Sequence, residues 1–151
     1  IYDYRPRQRG AVALKVDAAL EALAAELGIA AQVQFLGVVR NVPELLLGHQ
    51  LAVLATHYEG MPLALLEGMA AGCAVIGSAV PGVREVIEDG IEGRLVAESD
   101  PVAMADAIEH LLRDPVHASR LAANARQVAL ERHGRELMNQ RYESLFLGLA
   151  R

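Results

Sequence analysis

Two apolar runs, each followed by a proline-containing loop and a helix-favouring stretch, restrict this chain more than any other feature. The first run, 51–55, has the length of a buried strand, and 74–77 is the second. Between them come a polar turn over 56–60, Pro62 and a predicted helix over 63–71, with Gly72 as its C-terminal glycine. After the second run, Pro81 and Gly82 open a short predicted helix over 83–88. This order of strand, loop and helix, given twice, predicts a parallel sheet. Both loops leave the carboxyl ends of strands, where open α/β sheets bind ligands.

Two carboxylates stand in this stretch, Glu59 in the first loop and Glu67 inside the helix that follows. Pro62 falls near the first turn, where a missing N–H costs nothing. The amides of Gly60, Met61 and Leu63 are expected to point out of the helix start and offer an anion site. An ionised carboxylate accepts strong hydrogen bonds from sugar or ribose hydroxyls. The stretch therefore suits a ligand with both phosphate and hydroxyl groups. The plainer alternative has Glu59 capping the helix and Glu67 on a solvated face.

Elsewhere the pattern is regular. Residues 11–27 predict a helix with Leu20, Leu23, Ala24 and Leu27 on one face and Gly28 as terminator, although AVALKV, before Asp17, reads equally well as a strand. A short strand is expected over 33–36, and a helix over 42–47 with Asn41 as cap. Residues 94–96 read as an edge-like strand. Asp100-Pro101 and Asp114-Pro115 each place a capping carboxylate before a first-turn proline. The first of these helices is expected to bury Met104, Ile108, Leu111 and Leu112, and the second to run to about His133. Met138, Tyr142, Leu145, Phe146 and Leu149 predict a core stripe on a last helix.

A chain of 151 residues with 53% hydrophobic and 22% charged residues is expected to form one domain with its own core, not a disordered segment. The net charge is −5 and no basic patch stands out, so nucleic acid is not an expected partner. One cysteine, Cys73, cannot form a disulfide within the chain, which fits a reducing cytoplasm. Between Met61 and Val83 the only charge is Glu67, but Gly72, Gly77 and Pro81 interrupt that stretch. A buried helix and strand are expected there, not a membrane span. Arg5, Arg7 and Arg9 are not followed by the apolar run of a secretory leader. The sequence starts at Ile1, without an initiator methionine, and is expected to be a fragment of a longer protein. His57 is expected to bond to backbone in its loop, and the other four histidines to lie on the surface.

The string EGMPLALLEGMAAGCAVIGSAVPGVREVIEDGIEGRLV resembles the signature of the group 1 retaining glycosyltransferases, which have the two-domain GT-B fold. In that family Glu-Gly-aromatic/Met-Pro-Leu precedes a second Glu eight positions on, then an Ala-x-Gly strand entry and a Gly-containing turn ending in Glu. The segment DPVAMADAIEHLLRDP is similar to a later family pattern. The resemblance covers roughly 33 to the C-terminus. It implies an α/β, Rossmann-like three-layer domain with a parallel sheet, the C-terminal half of a GT-B glycosyltransferase. Residues 1–151 would then be a single donor-binding domain, shortened at its N-terminal edge, with the acceptor-binding half absent.

The resemblance further implies a nucleotide diphosphate sugar as donor substrate and no other cofactor or catalytic metal. Glu59 and the backbone of Gly60, Met61, Pro62 and Leu63 would meet the donor sugar and diphosphate, with Glu59 as the catalytic position. Glu67 would hold the ribose, Gly82 and Glu85 would line the same cleft, and Val38 would meet the base. The sugar would keep its anomeric configuration. Relatives carry an Arg and a Lys that neutralise the diphosphate. Arg9 and Lys15 are the only basic pair at a comparable spacing, and a solvated loop and helix face suit them better. The expected partners are the nucleotide sugar and the missing acceptor half, with peripheral membrane association only for the full enzyme. The alternative is a binding module that keeps the nucleotide site without turnover.

Overall fold

The computed structural model describes residues 11–149 and divides into two units, 1–40 and 41–151. Arg9 and the side chain of Lys15 lie outside the described residues. In the first unit, helix α1 (Ala11–Glu26) ends at Gly28, whose φ of 69° is left-handed. The amide of Ile29 donates to Ala24 O (2.9 Å) and that of Gly28 to Ala25 O (3.1 Å), the paired bonds that close a helix on glycine. A 3-10 turn follows at Ala30–Gln32.

Two expectations fail in this unit. The strand over 33–36 is not formed, because a strand needs a ladder partner and the segment finds none among the described residues. The apolar stripe of α1 stays exposed at Leu20, Leu23 and Leu27, and only Ala24 is buried.

The second unit holds the sheet. Helix α2 (Val42–Leu47) has Pro43 in its first turn, but the Asn41 side chain makes no capping bond. Strands β1 (Leu51–Leu54), β2 (Ala74–Ser78) and β3 (Gly93–Val96) are parallel, in the order β1-β2-β3. Leu51 pairs with Ala74, and Val75 with Gly93. β2 is central and all five of its residues are buried, whereas β1, expected to be buried, is a half-exposed edge.

Alternation along β2 divides the core in two. Val75 faces a cluster with Leu65 and Met69 from α3 (Leu63–Ala71), Val83 from α4 (Pro81–Arg84), and Ala125 and Ala129 from α6 (Pro115–Arg132). Ala74 and Ile76 face the other way, towards Val96, Leu121 of α6, and Ala107 and Leu111 of α5 (Pro101–Arg113). Helices thus cover both faces of a parallel sheet, as the strand-and-helix order predicts. Leu112, expected in this core, points out.

Glycine sets the closeness of the layers at one point. A Cβ at Gly68 would stand 2.7 Å from the Cβ of Ala52, so α3 lies against β1 with no room for a side chain. That contact explains a glycine inside a helix, where it costs about 1 kcal/mol relative to alanine. Gly72 ends α3 with φ 86°, and Cys73 N donates to Gly68 O. The Cys73 thiol is buried, and burial raises its pKa.

Helix α4 starts at Pro81 itself and is shorter than expected, with Val86 and Ile87 amides continuing as single turns on Val83 O. Asp100 Oδ1 accepts from Ala103 N and Asp114 Oδ1 from His117 N, both at 2.9 Å. Asp100→Ala is therefore expected to cost about 1 kcal/mol of stability, seen as a lowered urea midpoint at constant slope. An unchanged midpoint would mean that the cap contributes nothing.

The last helix, α7 (Arg135–Leu149), departs most from expectation. Its stripe of Met138, Tyr142, Leu145, Phe146 and Leu149 is exposed, and the helix buries no residue. The spacing is helical but no layer of this unit lies over it. No helix among the described residues is long and apolar enough to cross a membrane.

Candidate functional site

The loops that leave the carboxyl ends of β1 and β2 are fastened to each other. Thr56 N donates to Ser78 Oγ at 3.0 Å, and Ser78, only 3% exposed, is the one buried polar residue among those described. Thr56 Oγ1 donates to Tyr58 O at 3.0 Å and shapes the turn before Glu59. Farther out, Gly82 presses on the first loop. A Cβ there would overlap the Glu59 carbonyl and stand 2.8 Å from Gly60 O. Any side chain at 82 must push the two loops apart.

Gly82→Val is accordingly expected to cost roughly 1–3 kcal/mol, as overpacking of a tight contact does. It should also move the Glu59–Gly60 backbone. Denaturant melts would read the first effect and amide shifts at Glu59 and Gly60 the second. Wild-type values for both would mean that the contact yields freely.

Pro62 is fully buried and forms the N-terminal boundary of α3. Its carbonyl accepts from the amides of Leu65 and Leu66, both at 3.0 Å. Leu63 N donates to Met61 O at 2.9 Å, so the expected trio of free amides is corrected. The chain bends back on itself at Pro62 and occupies that N–H. Gly60 and Met61 keep unpartnered amides among the described residues, and Ala64 and Gly82 join them. These donors stand at the start of a helix, where the dipole favours negative charge.

Glu59 is half-buried, whereas Glu67 and Glu85 are exposed. Glu59 does not cap α3, which has no side-chain cap bond. None of the three carboxylates takes a hydrogen bond or an ion pair from a described residue. Glu67 shares the exposed strip of α3 with Leu63, Ala64 and Ala70, about 6 Å along the axis from the helix start at 1.5 Å per residue. Glu67 and the free Ala64 amide are therefore neighbours on one face. Val38 is exposed in the first unit.

Two contacts escaped sequence reasoning. His57 Nδ1 lies 2.8 Å from Glu98 Oε1, so its partner is a side chain 41 positions away and not the backbone expected. The pair joins the β1 loop to the loop after β3, where Ser99 adopts a left-handed φ of 59°. Arg84 Nε donates to Ala79 O at 2.8 Å and braces the start of the second loop. A cavity of about 380 Å³ at this end of the sheet is lined by Thr56, His57, Ser78 and Asp100 but lies on the α5 side. Another, about 630 Å³, lies at the opposite end, against His49 and Leu51. Glu59, Glu67 and Glu85 line neither of these two cavities. Among the described residues no three potential metal ligands come together.

The chain belongs to the family of glycosyl transferases group 1, which matches it over residues 14–128. It is 41% identical over 112 residues to a D-inositol 3-phosphate glycosyltransferase of Frankia alni, covering 71% of this chain and 27% of that one. Its fold is similar to the C-terminal domain of a glycosyl transferase group 1 family protein (LpcC) from Francisella tularensis. There the TM-score is 0.72 at 26% identity, over 87% of this chain and 66% of that domain's chain. It also resembles Anabaena HepE in complex with UDP-glucose, at a TM-score of 0.83 and 24% identity, over 87% of this chain and 36% of that one. The fold is thus the α/β architecture of GT-B glycosyltransferases. The chain spans about 24–34% of the length of these curated relatives.

Proposed function

We propose that this chain is the donor-binding half of a retaining glycosyltransferase, which moves a sugar from a nucleotide diphosphate sugar to an acceptor hydroxyl. One observation carries the reading: two βα loops, locked by Gly82 against Glu59, hold unpartnered amides beside carboxylates that no group among the described residues neutralises. Amides at Gly60, Met61 and Ala64 suit the diphosphate. Glu67, one turn into the helix, suits the ribose hydroxyls, and Glu59, at the loop tip, the donor sugar. Gly82 and Glu85 border the same cleft.

As the glycosidic bond breaks, negative charge grows on the departing diphosphate. Amides already aimed at that charge stabilise it without reorganising, which is where electrostatic catalysis gains most. The leaving phosphate then assists the acceptor hydroxyl on the same face, so the anomeric configuration is kept. The reading takes no metal or cofactor beyond the donor. It places the chain in a reducing cytoplasm, consistent with its single, buried Cys73. The acceptor is held by a half outside these 151 residues, and membrane contact, where it occurs, belongs to the whole enzyme.

Glu59→Gln tests the assignment of the sugar. The parent is expected to bind one UDP-sugar about tenfold or more better than UDP, a charge-assisted bond contributing roughly 1.5–3 kcal/mol. The variant should bind UDP as the parent does and lose that preference. Calorimetric titration of both ligands into both proteins gives the ratio. Equal ratios would remove Glu59 from the sugar.

A further inference from the structure

We propose that His57 and Glu98 are a positioning pair, whose hydrogen bond sets where the β1 loop holds Glu59. The proposal rests on the reading that Glu59 meets the donor sugar. The loop over 57–61 is tied at both ends. Thr56 N donates to Ser78 Oγ before it, and Pro62 is fully buried after it. Between these anchors the hydrogen bonds of Tyr58 and Met61 stay local, to Thr56 and Leu63. His57 is the one loop residue, among those described, whose hydrogen bond reaches another part of the fold. A carboxylate only accepts, so the hydrogen lies on Nδ1.

Glu98 has a firm footing. Two residues before it, Val96 O accepts from Ala79 N at 2.7 Å, and two residues after it Asp100 caps α5. Ser99 keeps a left-handed φ, which persists only where the surroundings impose it. The pair stands on the α5 side of the loop, whereas Gly82 of α4 meets the loop at Glu59. His57 lines the cavity on that side and Glu59 does not, so His57 acts through the backbone it shares with Glu59. The Gly82 contact limits how near the loop can come, but not how far it can go. A hydrogen bond has a set length and limits both. Both side chains are exposed, so the pair adds little to overall stability. Its loss would show in the geometry of the loop.

The test compares His57→Asn with His57→Gln in the full 151-residue chain. Asparagine puts an N–H close to the position of Nδ1 and still reaches Glu98, whereas glutamine puts one near Nε2 and does not. UDP, UDP-glucose and UDP-N-acetylglucosamine are the ligands, titrated calorimetrically. His57→Gln and Glu98→Ala should each lower the parent's preference for its sugar over UDP by about threefold, and the double variant no further. His57→Asn should keep the parent's preference. In the ligand-free chain the amides of Glu59 and Gly60 should shift in His57→Gln and return in His57→Asn. A parent-like preference or unmoved amides in His57→Gln would overturn the proposal. So would a His57→Asn variant that behaves as His57→Gln does. A parent that prefers neither sugar to UDP, or a Glu59→Gln variant that keeps the preference, would instead remove Glu59 from the sugar, and the amides of the free chain would still decide the pair.

Discussion

Sugar transfer by this chain alone is expected to be negligible, and an acceptor-binding half supplied in cis or in trans is expected to restore it. On the proposed reading these loops serve a donor, and the acceptor is held elsewhere. Holding the acceptor hydroxyl at attack distance is worth roughly 7–11 kcal/mol of the barrier. On this account a donor bound to these residues meets only water. The matched stretch is only 27% and 34% of two of the relatives, which leaves ample chain for that second half. A nucleotide-release assay with mixed acceptors, run with and without the added half, measures the difference. Robust turnover by the isolated chain, lost in Glu59→Gln, would show that 151 residues are a complete enzyme. Binding of UDP-sugar with no turnover once the half is added would instead favour a binding module.

Glu67→Ala is expected to lower the affinity for UDP by about tenfold to a hundredfold while leaving the fold intact. The size follows from losing charge-assisted hydrogen bonds of roughly 1.5–3 kcal/mol. The fold should survive because Glu67 is exposed, has no partner among the described residues, and sits on a helix that alanine favours. The buried face of α3, with Leu65, Gly68 and Met69, is untouched. Calorimetry gives the affinity and a denaturant melt the stability. Parent-like affinity would return Glu67 to the solvated-face reading.

The parts of this molecule that local chemistry decides were legible in the sequence. The span of α3 follows from Pro62, its apolar run and Gly72. The caps of α5 and α6 follow from Asp-Pro pairs, whose carboxylates accept from the third residue on. The parallel sheet follows from the order of runs and loops.

What failed was decided at long range. The run 33–36 has strand composition but no ladder partner among the described residues. The α7 stripe has helical spacing, yet spacing cannot say whether another layer covers it. The contact of Gly82 with Glu59 joins loops from different strands, and the His57 to Glu98 pair spans 41 positions. Nothing local announces either. The bonded Leu63 amide is a lesson of a smaller kind, since a proline that starts a helix also turns the chain before it.

The central claim is that the β1 and β2 loops form a nucleoside diphosphate site, and amide chemical shifts during a UDP titration test it most directly. The account predicts that the largest changes fall on Gly60, Met61, Ala64, Glu67 and Gly82, with smaller ones at Glu59 and Glu85. Changes centred instead on Arg132 to Leu145, on the cavity by His49, or nowhere at millimolar UDP would contradict it.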